Sequence, residues 1–188
     1  MSINPPLKSI RFDLIPIKNQ SIHNDHLIEM MQDSEIQRYI NGNPLSDTEA
    51  LQGLDRFHKI SNKNGLGFWL IYNNEQQCVG MCLLKPLPTG DEIELIETGY
   101  WIKPAYWGQR IASEVTLRLL RYAFDDLDLE LVTAVVEPEN IASRKTLERS
   151  GLTNRGSMRA YDKELPFYTI SKDEFNHRCQ TCIDTVST

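Results

Sequence analysis

The sequence predicts a mixed α/β fold of the α+β class, in which helices flank a central twisted sheet. One observation is the order of segments with strand or helix periodicity, which reads βααβββαβαββ along the 188 residues. Another is the run 129–136, whose β-branched and almost continuously apolar character is typical of a strand buried on both faces. A helical pattern separates this strand from the one before it. We therefore expect two parallel strands joined by a right-handed crossover.

Length and composition favour one domain over residues 1–175, followed by a polar tail at 176–188. Apolar residues make up 40% and charged residues 24% of the chain, as in ordinary globular proteins. The formal net charge of −6 argues against nucleic acid as a partner and mildly favours a cationic one, such as an amine. The sequence has neither the run of roughly 18 apolar residues that a membrane span needs nor a signal-peptide pattern. We expect no membrane contact and a cytoplasmic location.

The residue pattern of the N-terminal third predicts one strand followed by two helical regions. Residues 10–17 alternate as a strand does. A helical run opens at Asp25 and is expected to break near Asp33. Ser46 and Glu49 have the spacing of a capping box at the start of the next helix. The expected buried stripe of that helix comprises Leu51, Leu54, Phe57 and Ile60.

The middle of the chain predicts a hairpin and a third long strand. Residues 68–72 and 78–84 are apolar and are joined by a polar turn, and residues 93–102 form the next strand. Cys78 and Cys82 are four positions apart on one strand. We therefore expect both side chains on the same face, where they serve as small apolar residues.

A loop and a helix follow the third strand. Residues 104–110 include Gly108, and residues 113–124 place apolar side chains at helical spacing. The first amides of a helix that begins near Ile111 have no intrahelical partner and lie at the positive end of the helix dipole, so the loop suits an anion such as a diphosphate. The motifs Gly-Lys-Ser/Thr and G-x-G-x-x-G are absent, which disfavours a nucleotide triphosphatase and a dinucleotide-binding domain.

The last elements are a short helix and two strands. Asn140 is expected to cap a helix over residues 141–150, which ends at Gly151. Residues 152–161 and 167–171 are the two predicted strands.

Neither a metal site nor a hydrolase is predicted. Cys179 and Cys182 form one C-x-x-C pair, with His177 and His58 as further potential ligands. A second pair is absent, however, and this one lies in the polar tail. No Ser/His/Asp or Cys/His set has a recognisable context for nucleophilic catalysis.

Residues 99–114 read Gly-Tyr-Trp-Ile-x-Pro-x-Tyr-Trp-Gly-Gln-x-Ile-Ala-Ser-Glu, and Asn140-x-x-Ser143 and Gly151-Leu152 follow. Together with the first strand, the Trp-containing hairpin and residues 167–170, this pattern resembles the GCN5-related N-acetyltransferase (GNAT) superfamily, in particular its ribosomal-protein N-acetyltransferase (RimJ/RimL-like) branch. The resemblance covers essentially the whole chain in the order of its elements. It implies the acyl-CoA N-acyltransferase fold and acetyl-CoA as co-substrate.

The resemblance also implies where acetyl-CoA binds, namely in a split between the parallel strands that end at Ile102 and near Val136. The pantetheine arm would bond to the backbone of Trp101 and Ile102 and be steadied by Asn140. Backbone amides of the loop and the first helical turn would hold the diphosphate. These belong to Gly108, Gln109, Arg110, Ile111, Ala112 and Ser113.

Arg110 departs from the family's loop pattern, Gln/Arg-x-x-Gly-x-Gly/Ala, which corresponds to residues 107–112. Ala112 fits the pattern, but an arginine replaces the expected glycine. If the backbone has a positive φ there, arginine costs of the order of 1 kcal/mol, and its side chain can crowd the diphosphate. If φ is ordinary, the guanidinium can pair with a phosphate of the cofactor. We expect binding to be retained.

Glu97 is the candidate base for the acceptor amine, because an ammonium has no lone pair with which to attack a thioester. Histone-type members of the superfamily carry a glutamate base at the matching place. A strand carboxylate can equally be solvated or paired with a lysine. Glu92 and Glu94, on the same segment, are weaker candidates.

Ser143 is the candidate donor to the leaving thiolate of the cofactor and is therefore also a predicted cofactor-binding residue. Many family members use a tyrosine seven residues after the motif asparagine, where this chain has Leu147. A hydroxyl one helical turn beyond Asn140 can donate to the sulfur, as proposed for ribosomal-type relatives, although such a serine often bonds to local backbone instead. Tyr168 is a second candidate donor.

The sequence thus predicts an acetyl-CoA-dependent N-acetyltransferase that acts on a primary amine. The branch suggests a protein N-terminal α-amino group, and a polyamine, an amino acid or an amine antibiotic remains an alternative. A non-catalytic acyl-CoA-binding or protein-interaction module is the rival from another class. We expect the acceptor pocket around residues 30–39 and 51–60 and the last hairpin, and the sequence leaves open whether the protein is a monomer or a homodimer.

Overall fold

The computed structural model describes residues 4–61, 63–89 and 94–178. The strands are β1 Leu7–Lys8, β2 Asp13–Pro16, β3 Gly67–Tyr72, β4 Cys78–Pro86, β5 Ile96–Ile102, β6 Leu131–Val135, β7 Thr153–Ala160 and β8 Lys163–Ser171. The helices are α1 Ser21–Gln32, α2 Ser34–Gln37, α3 Asp47–Ile60, α4 Ile111–Arg121 and α5 Ile141–Arg149. All eight strands form one sheet in the order β1-β2-β3-β4-β5-β6-β8-β7. The predicted fold class is confirmed.

The pairing of β5 with β6 is parallel, as the apolar run predicted, and the other described pairings are antiparallel. Glu97 lies opposite Thr133, and among the described residues no further pair joins the two strands. The strands therefore pair near their beginnings and separate towards their carboxyl ends. This split sits in the middle of the sheet, beside the beginning of α4.

Apolar layers cover both faces of the sheet. Strands β3 and β4 supply both layers, because successive side chains of a strand point to opposite faces. Trp69 and Cys82 pack with the buried residues of α4 and α5, whereas Phe68 and Met81 pack with those of α1 and α3. The sheet is therefore buried on both sides, as expected for a strand such as β6.

The N-terminal strand differs from the prediction. Residues 10–17 do not form one strand, because β1 and β2 pair antiparallel across a turn at residues 9–12. Ile10, predicted to belong to the strand, is 92% exposed in this turn. The backbone amide of Ser9 donates to the carbonyl of Phe12, which closes the turn.

The helices of the N-terminal third agree with the prediction better than the strand does. Helix α1 begins at Ser21 rather than at Asp25, and the predicted break falls at Asp33, whose carboxylate accepts hydrogen bonds from the first amides of α2. The capping box of Ser46 and Glu49 is present. The buried stripe was partly wrong, because Leu51 is 59% exposed and the buried face of α3 consists of Ala50, Gly53 and Leu54.

The two cysteines of β4 were also predicted wrongly. Cys78 packs in the layer of α1 and α3, whereas Cys82 packs in the layer of α4. A register shift explains this, because Tyr72 pairs with Cys78 and the preceding Ile71 pairs with Gly80. The extra residue of this bulge moves Cys78 to the opposite face.

Differences elsewhere concern mainly the ends of elements. Strand β5 begins at Ile96, and residues 90–93 lie outside the described ranges. Helix α4 begins at Ile111, as expected, and continues into a π-helical turn over Tyr122–Asp126. Residues 172–178 are helical, and Phe175 is buried. The rest of the predicted tail, with Cys179 and Cys182, lies outside the described residues.

Candidate functional site

A first cavity of about 820 Å³ opens at the split between β5 and β6, against the beginnings of α4 and α5. Residues of the strand end, of the loop before α4 and of the first turns of both helices line it. All ten residues predicted to bind the cofactor are among them. These are Trp101, Ile102, Gly108, Gln109, Arg110, Ile111, Ala112, Ser113, Asn140 and Ser143.

The backbone of the loop before α4 has two residues in the left-handed region. Gly108 has φ of 77° and Arg110, the N-cap of α4, has φ of 59°. Arg110 therefore has a positive φ, the first of the two alternatives considered for it. The residue occupies a backbone conformation that favours glycine. Arg110 makes no side-chain cap. The first-turn amides of α4 are left for a ligand or for water.

Two contacts hold this loop against the rest of the molecule. The indole Nε1 of Trp107 donates to the carbonyl oxygen of Ile102 at 2.7 Å, which ties the loop to the end of β5. Arg11 donates from Nη2 to the carbonyl oxygen of Gln109 at 2.9 Å and from Nε to Glu114 of α4 at 2.7 Å. The turn between β1 and β2 thereby positions the beginning of α4.

The charge of the first cavity favours an anion, although the whole chain carries a net charge of −6. Its charged lining consists of four cations and two anions, namely Arg38, Arg110, Lys145, Arg149, Glu35 and Glu139. Lys145 and Arg149 are one turn apart on α5. Together with the beginning of α4, these side chains give a basic rim around the backbone amides of the loop.

Ser143 lies at the inner end of this cavity and contacts Tyr100. The two hydroxyl oxygens are 2.9 Å apart, and the Tyr100 hydroxyl also lies 3.4 Å from the carbonyl oxygen of Ser143. The side chain of Asn140 accepts a hydrogen bond from the Ser143 amide at 3.1 Å, which caps α5. Burial raises the pKa of Tyr100. The phenol therefore stays protonated, and able to donate, at neutral pH.

A second cavity of about 650 Å³ adjoins the first. Its apolar wall includes Phe57, Phe68 and Trp101, with Phe57 and Phe68 stacked at a centroid distance of 4.3 Å. Parts of α1, α3 and the β7–β8 hairpin line it, as predicted for the acceptor pocket. Both cavities share Tyr39, Ile40, Tyr100, Trp101, Asn140 and Ser143.

Glu97 lies in the wall of the second cavity and is only 5% exposed. Its Oε1 is 2.5 Å from Nζ of Lys85, which stands directly opposite on β4. The Tyr161 hydroxyl also donates to this carboxylate oxygen. The carboxylate of Glu97 is therefore paired with a lysine rather than solvated. A catalytic role of Glu97 as a base stays a prediction.

Tyr161 reaches the ion pair from the tip of the β7–β8 hairpin. Tyr161 and Asp162 form its two-residue turn and have φ of 52° and 59°. Such a turn favours glycine and asparagine, so a bulky tyrosine there is unusual. Burial and, second, the charge of Glu97 raise the pKa of Tyr161, which keeps its hydroxyl protonated as a donor.

Several candidates from the sequence lie elsewhere. Glu94 is exposed and lines neither cavity, and Glu92 lies outside the described residues. Tyr168 is fully buried and bonds to Arg144 and Glu148, away from both cavities. Leu147 is a buried wall residue of the second cavity.

The sequence reasoning missed Lys85, Tyr100 and Tyr161. Tyr100 was within the motif and carried a signal, because strand alternation places it opposite to Trp101 and towards α5. Lys85 directly follows the predicted strand 78–84, and the structure extends this strand to Pro86. No local signal identified Tyr161, since it contacts Glu97 from 64 positions away.

Other kinds of site find no support in the described part of the chain. Across residues 4–61, 63–89 and 94–178, no three His, Cys, Asp or Glu side chains are grouped as a metal ion requires. His58, a potential ligand in the sequence, bonds instead to Asn24 at 3.0 Å. Among the described helices, none has both the length and the apolar character of a membrane span.

Comparison with known proteins agrees with this architecture. The model of the acetyltransferase (GNAT) domain matches residues 11–153. A protein of Aspergillus fumigatus named FsC-acetyl coenzyme A-N(2)-transacetylase is 29% identical over 186 residues, which cover 91% of this chain and 78% of the relative. An uncharacterized N-acetyltransferase p20 of Bacillus licheniformis is 30% identical, with 74% and 78% covered. The putative ribosomal N-acetyltransferase YdaF of Bacillus subtilis is 28% identical, with 62% and 65% covered.

Solved structures share the fold. Spermidine N-acetyltransferase from Vibrio cholerae, in complex with CoA and spermine, superposes with a TM-score of 0.70 at 16% sequence identity, covering 88% of this chain and 98% of that one. At this identity the likeness concerns the fold alone. The match of the domain model over most of the chain shows the family directly. The chain belongs to the GNAT acetyltransferase family and is an acetyl-CoA-dependent N-acetyltransferase.

Proposed function

We propose that the first cavity holds acetyl-CoA, that the second holds a primary amine, and that the amine attacks the thioester directly where the cavities meet. The observation that carries this proposal is the shared wall. Tyr100, Trp101, Asn140 and Ser143 line both cavities, so a thioester and an amine can reach the same side chains from opposite directions. Direct attack needs this proximity and no covalent enzyme intermediate.

Each end of the first cavity has groups suited to one part of acetyl-CoA. The amides of residues 108–113, at the positive end of α4, suit the diphosphate, and the basic rim adds to the attraction. The edge of β5 at Trp101 and Ile102 would bond to the pantetheine arm, because the split leaves backbone groups of this strand unpaired by β6. Asn140 would steady the same arm. A backbone amide of β5 would polarise the thioester carbonyl.

The Ser143 and Tyr100 hydroxyls supply the proton for the leaving group. When the amine nitrogen bonds to the acetyl carbon, the carbon–sulfur bond breaks and the sulfur leaves as a thiolate. Ser143 donates to this sulfur, and Tyr100, 2.9 Å away, replaces the proton. The nitrogen releases its surplus proton to water and Tyr100 regains a proton from water, so the products are an amide and a neutral thiol and both hydroxyls are restored.

Glu97 lies on the acceptor side, as a base must. Glu97 remains the predicted base, with Lys85 and Tyr161 both bonded to its Oε1.

For the acceptor we propose an α-amino group, with a protein N-terminus as the form that the RimJ/RimL-like branch suggests. The names of two relatives support this direction, since one is a putative ribosomal N-acetyltransferase and the other acts at an N(2) position. A polyamine is the second candidate, because a structural neighbour is a spermidine N-acetyltransferase.

Thermal stability and thiol release together test the proposed function. CoA and acetyl-CoA at about 100 times their dissociation constants should each stabilise the protein by about 2.7 kcal/mol. A panel of α-amines, polyamines and alkylamines should then release free thiol from acetyl-CoA. Stabilisation without thiol release for any amine would favour the non-catalytic acyl-CoA-binding module, and no stabilisation would contradict both readings.

A further inference from the structure

The second cavity contains a buried ion pair at the place where an acceptor amine must lose its proton. Glu97 is the one buried carboxylate among the described residues, and Lys85, 9% exposed, is the one buried lysine or arginine among them. Both line this cavity. Their contact fixes which proton transfers the cavity can perform.

The ammonium of Lys85 is fully engaged. It has three protons, and it meets Oε1 of Glu97 at 2.5 Å, the Tyr161 hydroxyl at 2.7 Å and the carbonyl oxygen of Pro86 at 3.3 Å. The Tyr161 hydroxyl in turn donates to Glu97. The three side chains come from β4, β5 and the tip of the last hairpin, so each is held by a different part of the fold.

Lys85 and Tyr161 both occupy Oε1 of Glu97, so an acceptor amine does not find this oxygen free. Protonating Glu97 would leave the Lys85 cation buried and without its counter-charge, which is strongly unfavourable in a low-dielectric site. The other charged groups that line the cavity are Arg56 from α3, Glu137 after β6, Asp162 from the hairpin tip and Lys163 from β8. Glu137 is paired with Lys163, and Asp162 is exposed.

Without a free base, only the uncharged fraction of the amine can react. At pH 7 an α-amino group with a pKa of about 8 is uncharged in about one molecule in ten. An alkylamine with a pKa of about 10.4 is uncharged in only about one molecule in 2,500. The uncharged fractions therefore differ about 200-fold in favour of the α-amine, and the greater nucleophilicity of the more basic alkylamine offsets part of this difference.

Building on the proposed acetyl transfer in this cavity, we propose that Lys85 determines acceptor specificity by withholding Glu97 from proton transfer, so that the enzyme acetylates α-amino groups and discriminates against alkylamines and polyamines. The neutral amine binds, its nitrogen attacks the acetyl carbon, and its surplus proton passes to water. Lys85 is therefore a specificity-determining residue that acts through Glu97 rather than on the reacting atoms. Tyr161 supports the pair from the hairpin.

Two lysine methylamides test this inference with the wild-type protein. One is acetylated on its ε-nitrogen and offers an α-amine, and the other is acetylated on its α-nitrogen and offers an ε-amine. At pH 7 we expect kcat/KM for the first to exceed that for the second by about tenfold or more, because the uncharged fraction favours the α-amine about 200-fold and the higher nucleophilicity of the ε-amine offsets only part of that factor. The logarithm of kcat/KM should rise with unit slope from pH 6 to the pKa of each amine.

Variants of the ion pair give the matched controls. Lys85→Met frees Glu97, so kcat/KM should become independent of pH between about 6 and 8, and the ε-amine should gain at least tenfold relative to the α-amine. Lys85→Met combined with Glu97→Gln removes the freed carboxylate, and the unit slope should return. Circular dichroism and thermal stabilisation by CoA establish that each variant is folded.

Two results would overturn the inference. One is a wild-type kcat/KM that does not change between pH 6 and 7.5, or an equal kcat/KM for both methylamides at pH 7. This measurement needs only the wild-type protein, so it decides the question even if Lys85→Met fails to fold. The other is a folded Lys85→Met protein in which the logarithm of kcat/KM still rises with unit slope against pH. Neither result bears on acetyl transfer itself, which is tested separately by thermal stabilisation with CoA and by thiol release from acetyl-CoA.

Discussion

Two hydroxyls less than 3 Å apart are the proposed proton donors to the leaving group, in place of the single tyrosine that the family resemblance implies. Leu147 occupies that tyrosine position and is buried in the apolar wall. Ser143 and Tyr100 lie 2.9 Å apart where the cavities meet, one from α5 and one from β5. Because burial raises the pKa of Tyr100, this phenol remains a proton donor throughout the neutral range. In the proposed mechanism this pair provides both a donor to sulfur and a means of replacing its proton.

Replacing these hydroxyls should slow the chemical step and leave cofactor binding intact. We expect Ser143→Ala to lower kcat by about tenfold or more, and Ser143→Ala with Tyr100→Phe to lower it by about 100-fold, the lower end of what a positioned acid contributes. The dissociation constant for CoA should change little, since neither hydroxyl is placed on the diphosphate. Steady-state kinetics and calorimetric titration measure both quantities.

Ser157→Ala, on exposed β7, is the matched control and should match the wild type. Turnover by the double variant at the wild-type rate would exclude both hydroxyls as donors to the thiolate.

Among the elements, α4 and the loop before it are distinguished by the left-handed backbone conformation of Arg110. The N-cap Arg110 has φ of 59° and ψ of 20°, a conformation that glycine adopts freely and that L-residues adopt only with strain. Arg11 and Trp107 hold the loop just before this residue. The arginine therefore occupies a backbone conformation that the fold imposes, and its side chain lines the first cavity.

Two substitutions separate the backbone strain from the guanidinium. Arg110→Gly removes both, and we expect it to raise the free energy of unfolding by about 0.5 to 1 kcal/mol, because left-handed φ no longer opposes a side chain. Arg110→Ala removes the guanidinium but keeps the strain, so its stability should stay within about 0.5 kcal/mol of the wild type. Urea denaturation without ligand measures both.

CoA affinity then reports on the side chain. If the guanidinium pairs with a phosphate, both variants should bind CoA several-fold more weakly and with a weaker dependence on salt. An Arg110→Gly protein less stable than the wild type would contradict the assignment of strain to this residue.

At the scale of the whole molecule, the features predictable from sequence were those with a local pattern. The order of the elements, the parallel β5–β6 pair and the cap at Asn140 each follow from apolar periodicity or from a capping residue in its own segment. The ten predicted cofactor residues line one cavity because a motif loop and a helix cap lie at the same edge of a sheet.

The features that escaped prediction depend on tertiary register. A one-residue bulge in β4 moved Cys78 to the other face, although Gly80 inside the strand was a sign of irregularity. A Cβ on Gly80 would lie 2.2 Å from the carbonyl oxygen of Trp101, so this close approach requires glycine. Lys85 and Tyr161 meet at Glu97 across 76 positions, and no local pattern encodes that contact. The acceptor side is therefore the part least accessible to sequence reasoning.

The central claim is that acetyl-CoA lies in the split between β5 and β6, with its diphosphate on the amides of residues 108–113 and its sulfur beside Ser143. A crystal structure of the complex with CoA tests it most directly. The account predicts the sulfur within hydrogen-bonding distance of the Ser143 or Tyr100 hydroxyl, pantetheine bonds to the backbone of Trp101 or Ile102, and Arg110 still at positive φ. A diphosphate bound away from the beginning of α4, or a sulfur that does not reach the wall shared by the two cavities, would contradict it.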